Sequence, residues 1–274
     1  MRAAILTYHS QNINGRDYRS NDHVALREDL ALVAALGRPL VAVRAIVDAL
    51  LGLAEPATVD GAVALSCDDG TLFDWLDREH PVHGPQRSFA NLIADAARRT
   101  GRPAPVLTSF VVASPAARRE IDDGCYGGIP YGDDGWWAPA SASGRVAIEN
   151  HSWDHAHTCV GTIRQREQRK GTFVGIDNPE DADAQVRAAA DFIDARLPDR
   201  RTTLFAYPYG AASDYLADEY FPRHREEHRV DAAFTDEPAI VTLDTDRWRV
   251  PRFVCGLHWR SAGELAAILD RLAG

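Results

Sequence analysis

Short apolar, β-prone runs alternate along the chain with longer stretches in which apolar side chains return every three or four positions. The runs "AAILTY" (3–8), "PLVAV" (39–43), "GAVALSC" (61–67), "PVLTSFVVA" (105–113), "RVAIEN" (145–150), "TTLFAY" (202–207), "DAAFT" (231–235) and "WRVPRFV" (248–254) read as strands. "VALREDLALVAAL" (24–36) and "AIVDALLGL" (45–53) carry helical periodicity, and two more helices are expected near 71–79 and 88–100. In 178–197, Asn178 can cap, Pro179 suits the first turn, and Glu180 and Asp181 face the positive end of the helix dipole. Ala182, Val186, Ala189, Ile193 and Leu197 then form one apolar face. At the C-terminus, Ser261 and Glu264 make a capping box ahead of Leu265, Ile268, Leu269 and Leu272.

Parallel neighbours need crossover connections, so this alternation predicts a parallel sheet. Over 274 residues, seven or eight such units suit one distorted (β/α) barrel, a single domain spanning 1–274. A doubly wound open sheet is the structural alternative, but no GxGxxG fingerprint follows an early strand, which leaves dinucleotide binding without support. The stretch 114–144, rich in Gly, Trp and Tyr, reads as a long aromatic loop inserted in that domain.

Charge and composition narrow the function. A net charge of -10 argues against nucleic acid and anionic membrane as partners, because a phosphate backbone rewards clustered Lys and Arg. The basic piece "RQREQRK" (164–170) reads as a solvated loop. Cys67, Cys125, Cys159 and Cys255 are scattered without a CxxC pair, so neither a disulfide framework nor a thiolate zinc site is expected. The first residues lack the apolar length of a secretory signal, and no stretch approaches a membrane span, so the expectation is a cytoplasmic chain. Oligomeric state leaves no mark in the sequence.

In a parallel barrel, functional groups sit on the loops after the C-terminal strand ends. Those positions hold Tyr8 and His9, then Asp68 and Asp69, then His151, Asp154, His155 and His157, then Tyr207–Gly210, and finally His258. Acids and histidines thus gather at one rim. His151 and His155 are four apart, so one helical turn would bring both imidazoles to one face. With a carboxylate they suit a zinc-type site with an open position, although HxxxH alone is a weak signal and other divalent metals accept such donors. Asp154 is misplaced for the glutamate of HExxH. Two adjacent acids can then divide the work, one binding the cation while its neighbour takes a proton from water acidified by the metal.

"SCDDGT" (66–71) resembles the first motif of the NodB-type polysaccharide deacetylases, carbohydrate esterase family four, with Ser66 and Cys67 in place of Thr and Phe. "HSWDH" (151–155) matches their HSxxH motif in full, and "AYPYG" (206–210) resembles RxPYG with Ala206 in place of Arg. "ILTYHS" (5–10) is similar to the first strand of the poly-N-acetylglucosamine deacetylase branch. This resemblance implies a metal held by Asp69, His151 and His155, most commonly zinc with cobalt or nickel as alternatives. It implies Asp68 as the base, the backbone N–H of Tyr209 as an oxyanion donor in a turn shaped by Pro208, and His258 as the acid. His9 and His157 are the other histidines that could fill that last place. Arg252, in "VPRF", could replace the missing arginine that orients the base. Trp136 and Trp137 have two readings, a stacking platform for a sugar ring or plain apolar packing. Trp153 is expected to pack under the metal loop, and Cys67 to pack as a small apolar side chain.

The leading expectation is therefore a metal-dependent hydrolase that removes an acyl group, acetyl foremost, from an amide nitrogen of an amino sugar or glycan. A second reading keeps the site but gives it a small amide, formamide or cyclic ureide. A third is a degenerate carbohydrate-binding protein that keeps the fold without the chemistry.

Overall fold

The computed structural model describes residues 1–197 and 200–273. Seven strands frame it: β1 (Arg2–Tyr8), β2 (Val63–Cys67), β3 (Leu107–Val111), β4 (Val146–Asn150), β5 (Leu204–Ala206), β6 (Ala232–Phe234) and β7 (Phe253–Val254). Strands β1 to β6 lie side by side in chain order, and every neighbouring pair is parallel. On the other edge of β1, β7 pairs in parallel through Leu6 and Thr7, and the short strand Val241–Thr242 pairs antiparallel with Arg2 and Ala3. Val250 bridges Phe234 in β6, so the sheet curls back towards its first strand as a distorted (β/α) barrel. The expected strand at 248–254 pairs fully only at its last two residues, because Pro251 has no N–H to give to a ladder.

Alternate residues of the strands fill the barrel. Ala3, Ile5, Ala64, Phe110, Leu204, Ala206, Ala232, Phe234 and Val250 form one buried cluster, with the Phe110 and Phe234 rings 5.4 Å apart. The residues between them, such as Leu6, Leu65 and Leu107, face outward against α1 (Asp22–Ala35), α3 (Phe89–Thr100) and the C-terminal helix Ala262–Asp270. This is the period-2 split of a strand buried on both faces. Among the connecting helices, α2 (Val43–Leu50) packs its apolar stripe on the barrel. Asn178 and Ser261 accept from Asp181 N and Glu264 N, so both expected caps form.

Two local expectations fail for identifiable reasons, and the helix expected in 178–197 forms with one irregularity. The segment 71–79 is a single 3₁₀ turn, Leu72–Asp74, followed by a hairpin of Arg78–His80 with Gly84–Gln86. There Asp74 turns inward to accept from Ser10 Oγ (2.5 Å) and Ser109 Oγ (2.6 Å), which ties the turn to the barrel rim. The segment 114–144 is not one long loop but carries α4 (Pro115–Cys125) and α5 (Trp137–Ala142). Ser114 caps α4 with Pro115 in its first turn, a start signal that the Gly-rich residues after it obscured. Between Pro179 and Asp194 the helix passes through a π segment, Asp183–Arg187. No helix among the described residues is long and apolar enough to cross a membrane.

Candidate metal centre

The site is built on turns that leave the C-terminal ends of β1, β2, β4, β5 and β6. At the end of β2, Asp68 keeps extended company with the sheet, its N–H donating to Tyr8 O at 3.2 Å, while Asp69 flips to φ 73°. Gly70 follows at φ 70°, and a Cβ there would lie 2.9 Å from Val111 Cα, so only glycine lets this turn close against β3. The two adjacent carboxylates therefore point to different neighbours.

Asp69 Oδ1 lies 3.6 Å from His151 Nε2 and 3.4 Å from His155 Nε2. A tetrahedral cation with ~2.0–2.2 Å bonds needs donor atoms about 3.3–3.6 Å apart, so each imidazole nitrogen stands at ligand spacing from the Asp69 oxygen, and all three donors lie within 4.8 Å of one another. His151 Nδ1 donates to Ala206 O at 2.8 Å, which leaves the Nε2 lone pair facing Asp69. His155 is driven to a pKa of about 3 by burial, which keeps its ring neutral and able to ligate, while its Nδ1 is buried without a hydrogen-bond partner. Burial would raise the Asp69 pKa, but attraction to His155, His9 and His151 holds it below the usual carboxylate value. Gln11 Nε2 donates to Asp69 Oδ2 and fixes the carboxylate from the β1 side. The donor set and its spacing fit a divalent cation of the zinc class.

The single helical turn expected for the HSxxH segment does not form. Ser152 (φ 71°), His155 (φ 62°) and Ala156 (φ 46°) are left-handed, and the imidazoles meet edge to face at 4.8 Å. With Asp69 and Tyr209 (φ 59°), these are five of the seven non-glycine residues in that region among the described residues. Such costly backbone persists where the surroundings over-determine it.

Asp68 Oδ2 lies 4.0 Å from His151 Nε2, beside the triad. Arg252 holds it from across the barrel in a bidentate pair, Nη1 to Oδ1 at 2.7 Å and Nη2 to Oδ2 at 2.8 Å. The same Nη2 reaches Asp236 Oδ1 at 2.9 Å, and Nε donates to Thr235 O at 3.2 Å. Burial pushes the Asp68 carboxyl up, but the Arg252 guanidinium and then His151 overcome it and hold it well below the usual range. The turn Pro208–Gly210 closes the opposite side, with the Tyr209 ring against His155 at 4.5 Å. A Cβ on Gly210 would meet Asp236 Cβ at 2.5 Å, so this turn and the Arg252 network are packed together.

A cleft of about 780 Å³ opens onto Asp69 between His9, His80, Tyr126, His157 and Leu257. His258 follows Leu257 in the chain and is not among the residues that line this cleft. Its Nδ1 accepts from Val254 N at 2.8 Å, and burial lowers its pKa against the pull of Asp236. Trp136 and Trp137 do not form a stacking platform. They are 3% and 0% exposed and pack with Val111, Val146, Ile148 and Ile193. Trp153 joins the edge of that cluster as expected, and Cys67 is buried. Asp236 and Gln11 were not singled out from the sequence. Asp236 follows β6 at the same C-terminal rim, and that position was the available signal.

A family model described as polysaccharide deacetylase matches residues 58–220. Among solved structures, IcaB from Ammonifex degensii superposes with a TM-score of 0.64 at 17% identity, covering 98% of this chain and 97% of that one. A de-N-acetylase from Aggregatibacter actinomycetemcomitans gives 0.60 at 15%, covering 98% and 100%. A polysaccharide deacetylase from Bacillus cereus gives 0.60 at 12%, covering 98% of this chain and 69% of its own. No curated protein matches significantly.

Proposed function

Because the chain belongs to the polysaccharide deacetylase family, we propose that it is a metal-dependent N-deacetylase, acting as one domain over 1–274 and removing acetyl from an amino sugar of a glycan. A divalent cation held by Asp69, His151 and His155, zinc foremost with cobalt or nickel as alternatives, supplies Lewis acidity to the amide carbonyl and acidity to water. Asp68 takes the proton of the attacking water, and Arg252 keeps Asp68 ionised and aimed. The backbone N–H of Tyr209, in the turn that Pro208 starts, donates to the oxygen that gains charge as the carbonyl becomes tetrahedral. A histidine returns a proton to the departing amine. His258 is our first assignment, with His9 and His157 on the cleft wall as the competing donors. With Trp136 and Trp137 in plain apolar packing, Tyr126 on the cleft wall and Tyr209 beside His155 are the rings placed to face a sugar.

The convergence of two imidazole nitrogens on one Asp69 oxygen at 3.4 and 3.6 Å, with a separate ionised carboxylate beside them, carries this reading. It also supports an enzyme over a glycan binder without catalysis, since a binder has no use for that spacing. The test pairs metal content with release of acetate from acetylated amino-sugar oligomers. Asp68→Asn is expected to bind metal near one per chain and to lose turnover by about 10²-fold or more. His151→Ala is expected to lose both. Undiminished turnover in Asp68→Asn would remove Asp68 from the mechanism.

A further inference from the structure

Cys125 ends α4, and Cys159 lies in the loop just beyond the histidine turn, 34 positions later. That separation hides the pair from any sequence pattern. Their Sγ atoms stand 3.0 Å apart, and both are free thiols. Non-bonded carbon atoms settle at ~3.5–4.0 Å and sulfur is larger, so this is closer than ordinary packing brings two thiols. The approach is built into the surroundings. A Cβ on Gly124 would lie 2.9 Å from Cys159 Sγ, so a missing side chain makes the room, and Glu120 of α4 accepts from Gly161 N and pins the loop from the other side. Cys125 is exposed, which gives an oxidant access.

His157 stands with the two sulfurs in a group whose ligand atoms fall within 4.8 Å of one another, so a soft metal ion is the competing use. Its Nδ1, however, accepts the Cys159 N–H at 3.1 Å. A neutral imidazole that accepts at Nδ1 carries its proton at Nε2 and has no second lone pair for a cation. Two thiols without a third ligand are better suited to each other than to a metal.

We propose that Cys125 and Cys159 are an oxidative modification site, a dithiol that closes to a disulfide across the cleft wall. The S–S bond forms as each thiol gives up a proton and the pair gives up two electrons. The oxidant is a low-molecular-weight disulfide, reduced in the exchange to two thiols. The bond would tether the loop carrying His157, and through it the turn of His155, to the end of α4. Cys125, Tyr126 and His157 all line the cleft, so closing it fixes two of the cleft's walls to each other.

The test needs no knowledge of the substrate. Reduced protein is equilibrated with mixtures of reduced and oxidised glutathione, alkylated, cut with trypsin and weighed. Cleavage after Arg119, Arg145 and Arg164 puts Cys125 and Cys159 on separate peptides, 120–145 and 146–164, so a crosslink is unambiguous. The expected result is one crosslinked peptide pair lighter by two hydrogens, with a Tm about 5 °C or more above the reduced form. Cys125→Ser and Cys159→Ser should show neither. Gly124→Ala, favourable for the helix itself, should slow closure severalfold with both thiols present. The inference fails if both thiols stay alkylatable at the most oxidising ratio. It also fails if alkylation is blocked only until a chelator is added, which would make the group a metal site. Neither result bears on the deacetylase reading.

Discussion

Arg252 is 0% exposed yet carries a full charge, and it stays there because two carboxylates and one carbonyl take up its donors. Burial works against the charged guanidinium, and Asp68 and Asp236 outweigh it. The price of that arrangement falls on Asp68, whose basicity is reduced by the same grip that aims it. Removing Arg252 should therefore move a pH profile and not only a rate. In Arg252→Lys the charge survives without the fork, and kcat should fall about tenfold while the acidic limb of kcat/KM moves to higher pH. Arg252→Ala should shift the limb further and cost about 3–5 kcal/mol of stability by leaving the buried Asp68 carboxylate unpaired. A kcat/KM profile unchanged in both variants would show that Arg252 does not act through Asp68. Asp68, Asp69, His151 and His155 were legible because each sits in a short motif. Asp236 was not, since it matters only through an arginine 16 positions away on a different strand end.

At the scale of elements, the turns carry more of the site than the helices do. HxxxH spacing predicted a helical face, but the left-handed residues Ser152, His155 and Ala156 fold the segment back instead. The parallel pairing was legible because alternation dictates parallel neighbours, whereas the two-residue β7 was too short to leave a periodic signal of its own extent. One strand also carries an element-level oddity. Glu149 in β4 points to the start of β5, where its Oε2 accepts from Thr203 N and Leu204 N at 2.8 Å each. It stands in for ladder bonds where β4 and β5 pair at Asn150 and Phe205 alone among the described residues. Burial, only partly offset by those two N–H groups, pushes its pKa up to about 8. The folded state then holds a proton that the unfolded chain releases above its ordinary value, so stability falls as pH rises towards and through 8. Glu149→Gln keeps an acceptor oxygen and has no charge to bury. Its Tm advantage over the parent should widen between pH 6.5 and 9, a window above the ordinary His pKa. A constant gap across thermal melts in that window would show that Glu149 does not titrate there.

At the scale of the whole molecule, the barrel brings together donors that the chain keeps far apart. Asp69 follows β2, His151 and His155 follow β4, and Arg252 reaches over from the segment that closes the sheet on β1. Small residues, Ala3, Ala64, Ala206 and Ala232, share the interior with Phe110 and Phe234, while the ligand turns stand at the C-terminal rim of the strands. A cation bound to that rim would join two turns, after β2 and β4, whose strands do not pair with each other, so metal binding and folding should be coupled. Metal that binds the native chain and not the unfolded one stabilises it by about 2.7 kcal/mol at a hundredfold excess over Kd, roughly 5–10 °C here. Calorimetry with and without a chelator should show that drop in the parent protein. His151→Ala should melt at one temperature in both conditions, because two remaining donors hold a cation weakly. Asp68→Asn should still respond to the chelator, since Asp68 belongs to the base and not to the ligand set. If instead Asp68→Asn loses the response while His151→Ala keeps it, the two adjacent carboxylates and the histidine have been given each other's work.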